Sequence, residues 1–214
     1  MLRRVFVFCG PLFVLLAFSG CAEEPMPQIT YDYSLPAPAL PPKAAPKLQP
    51  KGYGLPGGEW VPPAYLEKGW TAIIIHHSGT PKGNAAIFDE WHKEGRHWEG
   101  VGYDFVIGNG TDSGDGEIEA TFRWWQQKVG AHCGGTPGNW ANVDGIGICL
   151  VGDFNHTYPS SRQMQSLAQL VHFLQSRYRI PKSRIYGHNT TPGAGKTDCP
   201  GRNFPMYRLK SMVD

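Results

Sequence analysis

Residues 185–201 read IYGHNTTPGAGKTDCPG, a stretch that carries an imidazole, His188, and a thiol, Cys199, a short loop apart. Imidazole nitrogen and thiolate sulfur are both zinc ligands in proteins. Residues 71–79 read TAIIIHHSG, and their β-branched run predicts a strand that ends at a histidine. The two stretches together predict a metal site at the end of a strand, in a fold that brings distant segments into contact.

The ligand types and their distribution favour a catalytic zinc site. Three nitrogen or sulfur ligands from separate segments, with a fourth position left for water, are typical of catalytic rather than structural zinc. His76 and His77 are consecutive in the predicted strand, and consecutive strand side chains point to opposite faces of a sheet. A regular strand therefore offers only one of the two histidines to a single ion. The working hypothesis is a zinc hydrolase.

The charge balance argues against a nucleic-acid-binding protein. The 214 residues carry a formal net charge of +2; removing the first 20 residues, which include Arg3 and Arg4 and no acidic residue, leaves 18 basic against 18 acidic side chains. A balanced chain lacks the positive excess that phosphate contacts require.

Because the first third of the chain has few large apolar residues that could form a core, we expect one folded domain of about 145 residues.

The N-terminus is typical of an exported lipoprotein. Residues 1–20 combine a basic start with an apolar run that ends in small residues, as secretory signals do, and the run is short for a membrane span. Residues 18–21 (FSGC) resemble the lipobox of bacterial lipoproteins, which implies cleavage before Cys21 and lipidation of its thiol; an ordinary secretory signal is the alternative. Ala22 stands where an aspartate would indicate inner-membrane retention. The expected location is the periplasm or cell envelope, membrane-anchored, at the outer membrane where one exists.

Residues 21–68 are predicted to form a tether between the lipidated cysteine and the folded domain. The segment from residue 22 to residue 63 contains eleven prolines and few large apolar side chains, and proline-rich segments of this kind are extended and semi-rigid. Trp60 and Tyr65, near its end, are candidates to dock on the domain. We therefore place the folded domain at residues 69–214.

The pattern of the domain predicts an α/β fold. The predicted strands are residues 71–77, 101–107, 117–122, 145–151 and 184–187, and the predicted helices are residues 85–94, the segment between Ser161 and Pro181, and residues 204–212. Asn84 and either Ser160 or Ser161 are the expected helix caps, and Gly95 and Pro181 the expected stops. The continuous apolar character of the fourth strand predicts a central position. Interleaved strands and helices predict a single mixed central β-sheet flanked by helices, with the zinc site in a surface groove.

Several motifs occur in a fixed order along the domain: residues 73–78 (IIIHHS), 91–94 (WHKE), 101–107 (VGYDFVI), 129–132 (VGAH), 142–152 (NVDGIGICLVG) and 188–201. With these motifs the chain resembles the type 2 N-acetylmuramoyl-L-alanine amidases, a group that includes peptidoglycan recognition proteins and bacterial lipoprotein amidases. The resemblance implies zinc-dependent hydrolysis of the amide between the lactyl group of N-acetylmuramic acid and L-alanine of the stem peptide. It also implies peptidoglycan or muropeptides as binding partners, and we expect the protein to be a monomer. A non-catalytic peptidoglycan-binding protein is the alternative, although such relatives generally lack the cysteine ligand.

The resemblance implies three zinc ligands. The first histidine of the pair, His76, and the later His188 match the ligand histidines of the family. The third ligand is Cys199 when the chain is aligned on Pro-Gly, and Asp198 when it is aligned on Lys-Thr-Asp. Because thiolate is the softer and usually stronger zinc donor, we assign Cys199 and keep Asp198 as the alternative.

The resemblance also implies the catalytic residues. Tyr103 matches a tyrosine that positions the water or stabilises the oxyanion formed during amide hydrolysis. Thr197 and Lys196 correspond to the threonine or lysine that relatives carry shortly before the third ligand, although Lys196 lies one residue further back than in lysine-bearing relatives. These three residues are the candidate catalytic residues of this chain.

Four residues of the glycine-rich, aromatic region are candidate substrate contacts. His132 matches a cleft-lining histidine of relatives. Asn142 offers directional hydrogen bonds, and Trp124 and Trp125 offer aromatic faces that stack on sugars. A structural role is the alternative for His132, and a place on the surface or in the core is the alternative for the two tryptophans.

Cysteine usage fits an exported domain with one metal-bound thiol. Of the five cysteines, Cys9 belongs to the predicted signal and Cys21 is the predicted anchor, which leaves three in the domain. An odd count requires a separate role for one thiol, and a metal on Cys199 supplies it. Cys133 and Cys149 then either pair or stay free, and Cys149 is expected to be a small buried residue.

Overall fold

The structure is a computed structural model that describes residues 60–213. The predicted signal, the lipidation site Cys21 and the predicted tether up to residue 59 lie outside the described residues. The strands are β1 (Ala72–His77), β2 (Phe105–Ile107), β3 (Ile118–Ala120), β4 (Gly145–Leu150) and β5 (Ile185–Gly187). The α-helices are α1 (Ala85–Arg96), α2 (Phe122–Trp125), α3 (Trp140–Val143), α4 (Ser161–Tyr178) and α5 (Met206–Met212).

The five strands form one mixed sheet in the order β3-β2-β4-β1-β5. β1 runs parallel to both β4 and β5, β2 runs parallel to β4, and β3 pairs antiparallel with β2. The predicted α/β class and the central position of β4, whose six residues are all buried, are confirmed. Because parallel strands place their carboxyl ends at the same edge, the ends of β1 and β5 are neighbours there.

Different groups of residues pack against the two faces of the sheet. Ile73 and Ile75 of β1 belong to the main core, which includes the apolar stripe of α4. Alternate side chains of β1 point to the other face, where Ile74 packs with Cys133 and Ala141. His76 lies on this second face, because it is two residues beyond Ile74.

The helix starts follow the predicted caps, whereas the stops do not. Asn84 Oδ1 accepts a hydrogen bond from the N–H of Ile87 over 2.8 Å. Ser160, rather than Ser161, caps α4 through a reciprocal pair with Gln163. The predicted stop at Gly95 is wrong: α1 continues to Arg96, and the left-handed residue that ends it is His97, with φ of 54°.

Other element ends also differ from the predictions. α4 stops at Tyr178, ahead of Pro181, because Arg179 takes a left-handed conformation with φ of 56°. Residues 101–104 are not part of β2, and α5 begins two residues after the predicted position 204. β3 ends before Thr121 because the Thr121 side chain caps α2, accepting from the N–H of Arg123 over 3.2 Å.

Residues 60–68, which the sequence assigns to the tether, contact the domain. Trp60 is 8% exposed, its ring lies 5.6 Å from that of Phe173, and its carbonyl accepts from Trp124 Nε1 over 2.8 Å. Tyr65, the other docking candidate, is 86% exposed. Glu67 accepts hydrogen bonds from Arg177. Packing on the domain therefore begins before residue 69.

No helix within residues 60–213 is long and apolar enough to cross a bilayer.

Candidate metal centre

The structure brings His76, His188 and Cys199 together. One ligand-type atom from each lies within 4.8 Å of the others. The sheet register explains the two histidines, because Ile75 of β1 pairs with Gly187, the last residue of β5. His76 follows Ile75 within β1, and His188 is the first residue after β5. The rings of the two histidines have centroids 4.7 Å apart.

Cys199 reaches the histidines through a loop that is hydrogen-bonded to the end of β1 and to the turn that follows β5. Its Sγ lies 3.5 Å from His76 Nδ1 and accepts from the backbone N–H of His77 over 3.4 Å. Its carbonyl accepts from the N–H of Asn189 over 2.7 Å, and its own N–H donates to Thr197 Oγ1 over 3.2 Å. Thr197 therefore supports the loop conformation that presents the sulfur.

Asp198 and Lys196 do not enter the three-residue cluster. Both side chains are exposed. Asp198 lines an open pocket of about 460 Å³ together with Asn155, His156, Asn189 and Arg202. Since Asn189 and Asp198 directly neighbour His188 and Cys199 in the chain, this polar pocket adjoins the cluster. Of the two candidates for third ligand, Cys199 is the one placed beside the histidines.

His77 points away from the cluster, as the alternation along β1 predicts. Its Nδ1 accepts from the N–H of Phe154 over 3.1 Å and lies 3.9 Å from Asp153 Oδ1. The only part of His77 that contacts the cluster sulfur is its backbone. His77 is thus a hydrogen-bonded residue beside the site.

Tyr103 lies beside His76, with ring centroids 5.2 Å apart. It packs on the apolar cluster that contains Phe88 and Cys149. Burial raises the pKa of the Tyr103 hydroxyl well above its ordinary value, and a hydrogen bond with the Cys149 side chain also raises it, so the hydroxyl stays protonated at neutral pH.

His132 and Asn142 are buried, at 7% and 6% exposure. His132 Nδ1 lies 3.1 Å from His76 Nε2. Asn142 uses its amide within the loop: Oδ1 accepts from the N–H of His132 and of Cys133, each over 2.9 Å, and Nδ2 donates to Cys133 O and Asn139 Oδ1. Their surroundings differ from those expected of substrate contacts, because the amide and the imidazole both bond to protein groups.

The expected substrate contact of Trp124 is wrong. Trp124 is fully buried, and its ring lies 4.6 Å from that of Phe105 and 6.2 Å from that of Trp70. Trp125 packs, partly buried, against the same core cluster. This cluster occupies the α4 face of the sheet, opposite to His76, so a sugar bound at the metal centre cannot stack on Trp124.

The electrostatics of the cluster suit a cation. Burial lowers the pKa of His76 well below its ordinary value and lowers that of His188, so both imidazoles are neutral and each keeps one lone pair. Burial raises the pKa of the Cys199 thiol to about 12, against the opposing effect of the His77 N–H. A bound cation is therefore needed to stabilise the thiolate. Two imidazoles and one thiol form a donor set that fits zinc, and within residues 60–213 the cluster has no fourth member.

Sequence reasoning assigned no role to Asp104, which lies behind His132. Its side chain is fully buried, its Oδ2 accepts from the N–H of Gly147 over 2.8 Å, and its Oδ1 has no hydrogen-bond partner. Burial raises the pKa of Asp104 to about 7. The available signal was an acidic residue inside the otherwise apolar run 101–107, since buried carboxylates require a specific reason.

The two other thiols of the domain are free. Cys133 and Cys149 are both buried and unpaired, and they pack in different apolar clusters. Of the two arrangements that the sequence allows, the structure therefore has the free thiols. Cys149 is a small core residue, as expected.

Comparisons with known proteins identify relatives of the domain. Peptidoglycan-recognition protein 2 of Holotrichia diomphalia is 32% identical over 146 residues, which cover 64% of this chain and 70% of that protein. The N-acetylmuramoyl-L-alanine amidase of Sus scrofa is 26% identical over 157 residues, which cover 64% of this chain but only 24% of that protein. The structure of N-acetylmuramoyl-L-alanine amidase LysC from Clostridium intestinale URNW superposes with a TM-score of 0.58 and 30% identity, covering 72% of this chain and 93% of that one.

The family assignment agrees with the fold and with the cluster. The family model Amidase_2, described as N-acetylmuramoyl-L-alanine amidase, matches residues 67–202. This range includes β1 to β5 and all three residues of the cluster. It also covers more than half of the 214 residues. The chain therefore belongs to the type 2 N-acetylmuramoyl-L-alanine amidase family, which forms one superfamily with the peptidoglycan recognition proteins.

Proposed function

We propose that the protein is a zinc-dependent N-acetylmuramoyl-L-alanine amidase that hydrolyses the amide between the lactyl group of N-acetylmuramic acid and L-alanine of the stem peptide. The observation that carries the proposal is the convergence of His76, His188 and Cys199. Family membership supports the reaction, because the family is described by this activity. The presence of the thiol favours turnover over binding alone.

Zinc held by these three residues would supply Lewis acidity: it would polarise an amide carbonyl and lower the pKa of a bound water towards about 7. The side chains and backbone of the protein supply the other groups that the reaction needs: a hydrogen-bond donor for the developing oxyanion and a donor that stabilises the thiolate. Tyr103, protonated and next to His76, donates a hydrogen bond to the oxygen on which negative charge develops. The His77 N–H donates to the Cys199 sulfur and so stabilises its thiolate form.

The loop before Cys199 completes the proposed active site. Thr197 accepts from the N–H of Cys199 and thereby orients the sulfur. Lys196, exposed in the same loop, is our candidate for the group that protonates the leaving amine, which every amide hydrolysis requires. Replacing Lys196 with methionine separates this role from loop structure: turnover falls while zinc content stays unchanged.

The substrate class is peptidoglycan or its fragments. The adjoining pocket with Asn155, Asn189, Asp198 and Arg202 offers amide, carboxylate and guanidinium groups to a peptide. Mass spectrometry of the products from defined muropeptides tests the bond that is cleaved. Substrates with diaminopimelate or lysine at the third position, and anhydro-muropeptides, define its specificity in the same assay.

We propose further that the mature protein is a membrane-anchored, monomeric lipoprotein of the cell envelope. The proposal rests on residues 1–21, where a secretory signal precedes the lipobox-like sequence FSGC, and on the proline-rich segment that follows. Metabolic labelling with a radioactive fatty acid tests it: the wild-type protein incorporates label and fractionates with membranes, whereas Cys21→Ala does neither. Label on the Cys21→Ala protein would contradict the assignment.

A peptidoglycan-binding function without turnover is the second candidate, supported by the similarity to a peptidoglycan-recognition protein. Purified sacculi distinguish the two. An amidase releases muropeptides, and a chelator abolishes the release. Retention of the protein on sacculi that is insensitive to the chelator, with no product released, would establish binding alone.

A further inference from the structure

His132 lies between the metal cluster and the interior of the sheet, and its two ring nitrogens have different partners. Its Nε2 faces the carbonyl oxygen of Gly145 at 3.4 Å and the Asp104 Oδ2 at 4.0 Å. Both neighbours are hydrogen-bond acceptors. The proton of a neutral His132 therefore belongs on Nε2.

This proton position determines the role of the other nitrogen. With hydrogen on Nε2, the Nδ1 of His132 is an acceptor, and its partner is His76 Nε2 at 3.1 Å. His76 Nε2 must then carry hydrogen, which leaves the lone pair of His76 on Nδ1. This is the nitrogen that lies 3.5 Å from the Cys199 sulfur. The opposite tautomer of His76 would turn an N–H towards the cluster and offer no lone pair to a cation.

The position of the His132 ring is closely constrained. A Cβ added at Gly147 would lie 2.4 Å from His132 Cδ2, and one added at Gly130 would lie 2.5 Å from the same atom, so the ring fills space that side chains would otherwise occupy. The backbone of His132 is held by Asn142 Oδ1. Both imidazoles are buried, with His76 at 1% exposure. Little reorientation is possible without unpacking the sheet.

Asp104 is fixed where it favours hydrogen on His132 Nε2. Its N–H donates to Gly147 O over 2.9 Å and its Oδ2 accepts from the Gly147 N–H. The side chains of Asp104 and His132 are both fully buried, so no solvent screens the oxygen from the imidazole. Lys68 and Arg123 are the cations that act on Asp104 from neighbouring segments.

We propose that His132, supported by Gly145 and Asp104, is a positioning residue that holds His76 in the tautomer that presents Nδ1 to the metal. The chain of contacts is Asp104, His132, His76 and then the cation. Ligand histidines are commonly oriented by such outer partners, whose loss costs about 10- to 100-fold in metal affinity. The inference deepens the proposed function, because it rests on zinc binding at the same three residues.

The test compares zinc affinities, measured by chelator competition, with the tautomers of the apo protein, measured by ¹⁵N NMR of labelled histidines. The wild-type apo protein should have both His76 and His132 protonated on Nε2. His132→Phe keeps an aromatic ring but removes the acceptor, so zinc affinity should fall about 10- to 100-fold. His132→Gln supplies a carbonyl acceptor and should recover part of the affinity. Asp104→Asn should weaken zinc binding less than His132→Phe does.

Leu174→Ala is the matched control, because Leu174 is a buried core residue of α4 on the opposite face of the sheet. It should lower stability while leaving zinc affinity unchanged. Hydrogen on His76 Nδ1 in the wild-type apo protein would overturn the inference, as would wild-type zinc affinity in folded His132→Phe. If His132→Phe fails to fold, His132→Gln and the apo tautomers decide the outcome.

The same measurements separate this inference from the proposed function. Zinc binding with the expected tautomers but without muropeptide release removes the amidase proposal and leaves the role of His132 intact. A wild-type protein that binds no zinc at these residues overturns both.

Discussion

The Nδ1 of His76 lies 3.5 Å from the Sγ of Cys199, although 123 positions separate the two residues in the chain. This distance is compatible with two ligands of one tetrahedral ion, given zinc–nitrogen and zinc–sulfur bonds of about 2.0 and 2.3 Å. The sulfur accepts from the His77 N–H, so the end of β1 contacts the thiol through both its side chain and its backbone.

Replacing the thiol should weaken zinc binding strongly, whereas replacing the neighbouring carboxylate should not. Cys199→Ser should lower zinc affinity by more than the roughly 100-fold that loss of an outer partner costs, because a protein donor is lost. Asp198→Asn, whose side chain is exposed, is the matched control and should keep one zinc per chain. Metal content by mass spectrometry measures both. The opposite result would make Asp198 the ligand.

Removing the Tyr103 hydroxyl should slow catalysis without releasing zinc. Loss of one donor to a developing oxyanion costs about 100- to 1,000-fold in turnover, and Tyr103→Phe keeps the ring that lies 5.2 Å from His76. Turnover of a defined muropeptide and zinc content are the two measurements. Unchanged turnover would reduce Tyr103 to a packing residue.

Truncating Trp124 should affect stability rather than substrate binding. The residue is fully buried and packs on Phe105, so Trp124→Ala should cost about 3–5 kcal/mol of unfolding free energy. Trp125→Ala, at a partly buried position, should cost less. Chemical denaturation measures the loss, and the affinity of the folded fraction for muropeptides should stay unchanged. A specific loss of muropeptide affinity without destabilisation would restore the sugar-contact role of Trp124.

Acid should weaken the contact between α1 and the segment before β2. The N–H of Gly102 donates to His92 Nδ1 over 3.0 Å, and burial lowers the pKa of His92 from 6.5 to about 4. His92 binds a proton more readily in the unfolded chain than in the folded one. The contribution of neutral His92 to the free energy of unfolding is therefore fully present above about pH 6.5 and is lost as the pH falls towards 4. His92→Asn should show a smaller loss of unfolding free energy between pH 7.5 and pH 5 than the wild type. Equal losses in both proteins would contradict this assignment.

Local chemistry made the helix starts and the central strand predictable. Asn84 and Ser160 cap their helices through bonds to residues three positions away, so the relevant partners are visible in a short window of sequence. The stops were less predictable, since His97 and Arg179 take left-handed conformations that glycine usually adopts.

Side-chain patterns predicted the residue types of the candidate site better than their positions. The motifs identified His76, His188 and Cys199 as a set, yet they also placed Trp124 near a substrate. The sequence does not distinguish a tryptophan that lines a groove from one that packs in a core. Only the packing of Trp124 beneath α4 shows that it belongs to the core. Asp104 had no assigned role because its partner His132 is distant in the chain.

The sequence by itself determined the family, the mixed α/β class, the helix cap at Asn84 and the two candidate histidine ligands, because motifs, hydrophobic periods and capping residues depend on local order. Only the tertiary structure decided that Cys199 rather than Asp198 faces the histidines, and that His132 contacts His76 from the interior. The physical reason is that the direction of a loop side chain follows from contacts with strands far away in the chain, here the β1 backbone and the β4 glycines. Those contacts exist only once the sheet has formed.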